Sequence, residues 1–343
     1  MITLPTLAAL PPPPNGRIGW PWTESSAPIA EATYAALPEI GVVVPSYNQA
    51  QFLEATLRSL LLQGYPKLRV GVMDGGSNDG SVAIIERYAP WLEFWVSERD
   101  AGQSDAIGRG LDRLSYRLGS WLNSDDVLLP GALAAVGGYA VDHPACELLC
   151  GHGLGVAEDG LTPQGLCRGR PFTFDELLDF GGGCFLAQPS VFFSRRLFER
   201  VGGVRTELHY AMDLDLWLRM RKEAELHCID RTLSLLRQHG AAKTLRDNEK
   251  SMSEVSRLIR AHAAGRPLRT RARARWHMRK LRARSACGSA LAAYFEGHRA
   301  PATWALARAL RANPAIALDP IFARVALRLT LPRPLKARFF ARP

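Results

Sequence analysis

The chain has 343 residues, 47% of them hydrophobic and 22% charged, with a formal net charge of +10. That length holds one large domain or two smaller ones with a real core, and the balance is that of a soluble globular protein. No stretch reaches the ~18 to 20 uninterrupted apolar residues that a spanning helix needs, so the chain is expected to be cytoplasmic and at most peripheral to a membrane.

Residues 1 to 37 hold a Pro run without helical or strand period, which predicts an extended lead-in. Its opening, MITLPTLAALPPPPNG, lacks the basic and apolar regions of a secretory signal. Gly41-Val42-Val43-Val44, closed by Pro45, reads as a parallel strand. Asn48 is then expected to cap a helix in which Phe52, Leu53, Thr56, Leu57, Leu60 and Leu61 recur at helical spacing, with Gly64-Tyr65-Pro66 as its stop. A strand from Leu68 to Met73 ends at Asp74 and a Gly-rich turn, Gly75 to Ser81. A helix through Ile84 and Ile85, a strand through Phe94, Trp95 and Val96, and a helix from about Ser104 to Tyr116 follow. The strand Ser120-Trp121-Leu122 runs into Asn123-Ser124-Asp125-Asp126, and a helix opens near Pro130. Strands alternating with helices of this length predict an α/β fold of right-handed βαβ units around a mainly parallel sheet.

Ligands of such sheets bind beyond the carboxyl ends of the strands. Three strands end there in polar groups: Ser46-Tyr47-Asn48, Asp74, and Asn123 to Asp126. Adjacent carboxylates repel, so Asp125 and Asp126 call for a positive partner. The spacing of Gly75, Gly76 and Gly80 is not that of a P-loop and fits turn geometry better.

VVVPSYNQAQFLEATLRSLLLQ, VMDGGSNDGS, SERDAGQSDAIGRGL, WLNSDD, AQPSVFFSRRLFERVGG and YAMDLDLWLRM, in that order over about residues 39 to 250, resemble the family 2 glycosyltransferases. The resemblance implies a GT-A fold: a nucleotide-binding parallel sheet followed by an acceptor-binding half with a small antiparallel element. It also implies inverting transfer of a sugar from a nucleotide donor, with UDP the commonest nucleotide, to a saccharide or lipid-linked acceptor of cell-envelope polysaccharide synthesis. A divalent ion near an Asp-x-Asp type motif would be Mg2+ or Mn2+, ions that take oxygen ligands from carboxylates and phosphates and neutralise a leaving diphosphate.

By the same resemblance, Pro45, Tyr47 and Asp74 fall on donor-binding positions. An aromatic face supports a flat base, and a carboxylate accepts from a base N–H or a ribose hydroxyl. The metal register stays open between Asn123 with Asp125 and Asp125 with Asp126, because Asn123 stands where the family commonly has an acid. Asp105 and Arg109 are donor-side candidates, with Asp100 and Gln103 beside them and Gly108 where an Asn is common. Direct displacement needs one carboxylate to take the acceptor proton. Asp213 fits that base position, with Asp215 as runner-up or as cap of a helix from Leu216 to Lys222. The stretch Arg237 to Thr244 resembles a loop that closes the diphosphate site, with His239 as a further metal ligand and Lys243 as a neutralising charge. Gln188-Pro189-Ser190 sits where the acceptor half begins, and Arg195, Arg196 and Arg219 are either structural or acceptor-side.

The resulting organisation is a lead-in (1–37), a catalytic domain (38–262, divided at about residue 130) and a C-terminal region (263–343). From Gly265 onward 18 Lys and Arg stand against Glu296 and Asp319, a net of +16, which leaves 10 − 16 = −6 for the rest. Helices are predicted at about 272–296, 300–311 and 318–330. RTRARARWHMRKLRAR and RPLKARFFARP interleave Arg with apolar residues. That pattern suits an anionic membrane surface, with nucleic acid the less favoured partner and a solvated helical cap the plainest alternative. Cys146, Cys150, Cys167, Cys184, Cys228 and Cys287 form neither a C-x-x-C pair nor a zinc spacing and read as reduced thiols. A nucleotidyltransferase would share the sheet and the carboxylates, but PSYNQAQF lacks the Gly-rich loop with Arg expected of one.

Overall fold

The structure, a computed structural model, describes residues 4–183, 185–240, 243 and 247–330. Two compact units emerge: residues 1–174 with 185–247, and residues 175–184 with 248–343.

The first unit is built on one sheet. β1 (Ile40–Ser46), β2 (Leu68–Asp74), β3 (Phe94–Ser97) and β4 (Leu118–Trp121) lie in the order β3-β2-β1-β4, all parallel. The connections are α1 (Ala50–Leu61), α2 (Ser81–Tyr88) and α3 (Gln103–Arg113). After β4 come β5 (Val127–Leu128), α4 (Ala132–Asp142), β6 (Leu148–Val156), β7 (Pro163–Cys167), β8 (Val191–Ser194), α6 (Arg195–Arg200), α7 (Met212–Glu223) and β9 (Leu226–Arg237), with the short α5 (Phe174–Leu177) before β8 belonging from Asp175 onward to the second unit. β8 joins β4 antiparallel, and the sheet continues β8-β6-β9-β5, with β7 as a hairpin on β6. The expected α/β architecture is therefore present, its parallel half extended by strands of mixed direction.

β1 is buried at every position, as a strand covered on both faces must be. Val42, Val44, Leu57, Leu61, Val72, Ile85, Leu133 and Phe192 share its core. Helix α3 ends at Arg113 rather than Tyr116, because the Tyr116 ring is needed elsewhere: it lies over Gly41 and Gly119, where a Cβ would stand 2.9 Å and 2.6 Å from it. The lead-in is not a loose strap. Arg58, fully buried on α1, donates to the carbonyls of Pro11, Pro21 and Trp22, and the Trp20 indole N–H donates to Leu128 O at 2.8 Å.

The second unit holds α8 (Asn248–His262), α9 (Leu268–Phe295), α10 (Arg299–Ala312) and α11 (Pro320–Thr330). Ala283, Cys287, Ala290, Ala305 and Ala309 are buried between them, small residues that let the helices approach closely. Residues 175–184 belong here through Asp175 with Arg266 at 2.7 Å and Asp179 with His277. Among the described residues no helix is long and apolar enough to cross a membrane. Cys184, Ala241, Ala242, Thr244 and the RPLKARFFARP tail lie outside the described residues.

Candidate active site

The parallel pairing of β1, β2, β3 and β4 brings their carboxyl ends to one edge. Pro45 and Ser46 close β1 opposite Met73 and Asp74, and the Tyr47 ring stands 62% exposed above them. Asn48 does not cap α1. It sits at φ 52°, and its Oδ1 accepts the Asn78 amide at 2.9 Å, while Asp79 from the following loop accepts the first helical amide, Ala50, at 2.9 Å.

Asp74 is 2% exposed, and its own loop occupies its carboxylate. The carboxylate accepts from the amides of Gly76 (3.1 Å) and Ser77 (2.9 Å) and from the hydroxyls of Ser77 and Ser97. Its neighbour Asp100 is better placed toward the Tyr47 ring. A Cβ at Gly75 would lie 3.1 Å from Asp100 Oδ2 and 3.3 Å from Tyr47 Cδ2, so only glycine leaves the space between them open. On the exposed side of α3, Arg109 is ion-paired with Glu98 and with Asp105 (3.5 Å), which directs both Asp105 and Arg109 into a local network. Gln103, at the head of α3, donates to Asn123 Oδ1 at 2.8 Å.

The acid pair divides. Asp126 is 6% exposed; its Oδ1 accepts the Arg237 amide at 3.0 Å and its Oδ2 the Asn123 side-chain amide at 3.3 Å. Burial, with the Asp125 charge added, pushes the Asp126 carboxyl well above the usual carboxylate range. Asp125 stays partly exposed, with its Oδ2 3.0 Å from His239 Nε2. The motif leads into β5, not directly into the helix expected near Pro130; α4 begins at Ala132 after a left-handed Gly131. Antiparallel pairing of β5 with β9, Val127 opposite Leu235, is what returns Arg237 and His239 to this corner. The Arg237 guanidinium donates to Asp125 O at 3.0 Å and lies over the Phe52 ring, and His239 packs on the same ring with centroids 4.6 Å apart. Burial pulls the Arg237 guanidinium below its ordinary range despite the two acids beside it.

A divalent ion is a chemical fit to this corner. His239 is buried, its Nδ1 has no hydrogen-bond partner among the described residues, and its Nε2 faces a carboxylate. Such an imidazole is incomplete by itself. Among the described residues no cluster of three or more His, Cys, Asp or Glu could hold a metal alone.

Asp213 and Asp215 both lie in the first turn of α7, so Asp215 is not a cap of a helix from Leu216. Asp215 is fully buried, accepting from Arg219 Nε at 2.7 Å and Arg205 Nη1 at 3.2 Å. Arg219 in turn donates to Val201 O and Gly203 O, and Arg195 to Leu114 O, so both arginines are structural. Asp213 is partly exposed, its Oδ1 accepting the Leu214 amide at 2.7 Å. One helical turn further, on the same face, Trp217 stacks on Trp121 at 5.4 Å. Ser104 donates to Leu208 O, which ties the segment before α7 to the head of α3. Lys243 lies over the Tyr210 ring at 5.2 Å, and Gln188 donates to Trp121 O at 2.8 Å.

Direct bonds thus connect Gln103, Asn123, Asp126, Arg237, Asp125 and His239 in one network. Tyr47 and Asp100 form a second group at the same edge, and the tryptophan stack anchors α7 to the end of β4, with Asp213 one turn before Trp217. Sequence reading passed over Arg237 and Phe52 as organisers. Their signal was present: an aromatic at the head of α1, and an arginine two residues before His239.

A model of the family described as "Glycosyl transferase family 2" matches residues 41–202. An uncharacterized glycosyltransferase of Mycobacterium tuberculosis is 30% identical over 186 residues, 53% of this chain and 68% of that protein. A PGL/p-HBAD biosynthesis glycosyltransferase of Mycobacterium bovis is 29% identical over 191 residues, 54% of this chain and 70% of that one. Among solved structures, S. aureus TarS 1-349 in complex with UDP-GlcNAc superposes with a TM-score of 0.55 at 18% identity, covering 85% of this chain and 88% of that one. The mannosyltransferase PcManGT from Pyrobaculum calidifontis, in complex with GDP-Man and Mn2+, gives 0.54 at 21% identity, covering 92% and 86%. The sheet is that of a GT-A fold, and the chain belongs to glycosyltransferase family 2.

Proposed function

We propose that the enzyme moves a sugar, with inversion, from a nucleoside-diphosphate donor, UDP first among them, to a saccharide or lipid-linked acceptor. Asp125 and His239 hold a Mg2+ or Mn2+ ion, and Asp213 is the general base. The observation that supports this most is the division of the acid pair. Asp126 is buried and bonded on both oxygens, whereas Asp125 faces His239 at 3.0 Å and remains partly exposed. Both sequence registers then reduce to Asp125, with Asn123 and Asp126 holding the turn. A divalent ion bound there neutralises charge on the departing diphosphate.

Tyr47 offers its ring for stacking on the base, beside Pro45, and Asp100 offers acceptor oxygens for a base N–H or ribose hydroxyl. Asp74 acts on the donor through the turn it shapes, and Asp105 and Arg109 through the footing of α3. At the other side of the sugar, the acceptor oxygen forms a bond to the anomeric carbon as the bond to the diphosphate oxygen breaks. The acceptor proton passes to the Asp213 carboxylate, so a nucleoside diphosphate leaves. TarS is in complex with UDP-GlcNAc and PcManGT with GDP-Man, in line with such a donor.

The C-terminal helices expose Trp304 (73%), Phe295 (67%) and Leu318 (88%) among their arginines. We assign this basic, aromatic surface to an anionic membrane face, where a lipid-linked acceptor is presented.

Calorimetry with UDP and GDP, with and without Mn2+, tests the donor site. Binding is expected to need the metal and to vanish in Asp125→Ala; binding that ignores metal and survives the substitution removes the assignment.

A further inference from the structure

Helices α8, α9 and α10 flank an open cleft of 480 Å³ within the second unit, lined by Glu249, Arg279, Arg282, Ser285, Arg308 and Arg311 among others. Four arginines against one glutamate leave it a net charge of +3. Arg279, Arg282, Ala286 and Ser289 recur at helical spacing and so share one face of α9, as Arg308 and Arg311 do on α10.

Part of this charge is already engaged. Arg308 is paired with Glu249, and Arg279 Nε donates to Ala312 O at 2.9 Å. Ser285 donates to Asn248 Oδ1 at 2.8 Å. Arg282 and Arg311 have no hydrogen bond or ion pair among the described residues. Like charges three apart on a helix repel each other, and the cleft repeats that arrangement on both of its long walls. An arrangement that opposes folding in isolation is stabilised when an anion enters.

We propose that this cleft binds a phosphate or diphosphate group. Arginine rather than lysine at all four positions suits the group, because the planar guanidinium fork meets phosphate oxygens two at a time. The Ser285 and Ser289 hydroxyls on the α9 wall add neutral polar lining. The volume is within the roughly 300–1,000 Å³ usual for small-ligand clefts. The group has two sources, a free diphosphate or the headgroup of an anionic lipid, and the chemistry of recognition is the same for both. The site is independent of the transfer reaction and of the metal corner.

The test uses the full chain in metal-free buffer, with two probes. Inorganic pyrophosphate is titrated by calorimetry, and flotation is measured with phosphatidylcholine vesicles with and without phosphatidylglycerol. Arg282→Ala/Arg311→Ala is compared with Arg269→Ala/Arg275→Ala, which removes equal charge from exposed positions of α9 outside the cleft. At least a tenfold loss of pyrophosphate affinity in the cleft variant, with the control within twofold of the parent, identifies a free diphosphate site. A loss confined to phosphatidylglycerol flotation in the cleft variant identifies a lipid headgroup. The proposal is overturned if the parent chain binds neither probe, or if cleft and control variants lose binding equally. Unchanged far-UV circular dichroism excludes misfolding, and Arg282→Lys/Arg311→Lys separates the fork from the charge: binding intermediate between parent and alanine variant is expected.

Discussion

Removing the Asp126 carboxylate leaves the Arg237 amide and the Asn123 side-chain amide without acceptors in a site only 6% exposed. A buried unsatisfied donor costs about 1–3 kcal/mol. Asp126→Ala is therefore expected to lower the thermal midpoint by roughly 2–4 °C per kcal/mol lost, while Asp125→Ala, which takes the partner from the buried His239 Nε2, also costs stability and in addition removes metal-dependent nucleotide binding. Differential scanning calorimetry beside a nucleotide titration separates the two; metal-dependent nucleotide binding that survives Asp125→Ala and is lost in a folded Asp126→Ala would contradict the division of the pair. The carboxylates of α7 separate in the same way. Asp215→Ala strips a fully buried acid from two arginines, a loss of about 3–5 kcal/mol readable in denaturant unfolding. Asp213→Asn is expected to fold normally, bind nucleotide and fail in transfer, and full activity in that variant would take the base role from it. At this scale the sequence singled out Asp125, Asp213 and His239 but left their partners open. The reason is distance along the chain: Asp125 meets His239 across 114 residues, and no local pattern encodes which oxygen turns inward.

Elements were legible where period and burial agree. β1, β2 and β3 and helices α1 and α2 match their expected positions because short apolar runs alternate with helical apolar stripes. β6 was illegible, since LLCGHGLGV looks like a loop. Its glycines answer to neighbours instead: a Cβ at Gly151 would lie 2.5 Å from Leu233, and one at Gly153 equally close to Ala187. Gly110 shows the same constraint beneath the donor edge. There a Cβ on α3 would meet Val43 at 2.6 Å and Met73 at 3.0 Å. Gly110→Ala is expected to destabilise by about 1–3 kcal/mol through overpacking and to weaken nucleotide binding, because the helix it displaces carries Gln103. Chemical denaturation and nucleotide affinity measured on one sample check both effects, and an unchanged midpoint would show that α3 has room to move.

Over the whole molecule, the charge asymmetry read from sequence meets a unit of helices with aromatic residues on its surface. Flotation on anionic vesicles is expected to fall steeply as salt shortens the Debye length from about 10 Å at 0.1 M to about 3 Å at 1 M. Trp304→Ala is expected to weaken flotation without moving the thermal midpoint, since that side chain is 73% exposed; flotation indifferent to both salt and Trp304 would remove the membrane assignment. The sequence marked this region by its charge, but the cleft between its helices depends on which arginines converge, and helical spacing alone does not choose among neighbours. The pairing of β5 with β9 has a consequence for synthesis. Because Asp125 waits for a histidine that leaves the ribosome 114 residues later, on the proposed assignment a nascent chain would have the tyrosine edge of its site but not the corner that would hold the ion. Nucleotide bound with metal at the proposed site would therefore engage only the chain that has closed its last strand, and would stabilise that state by mass action.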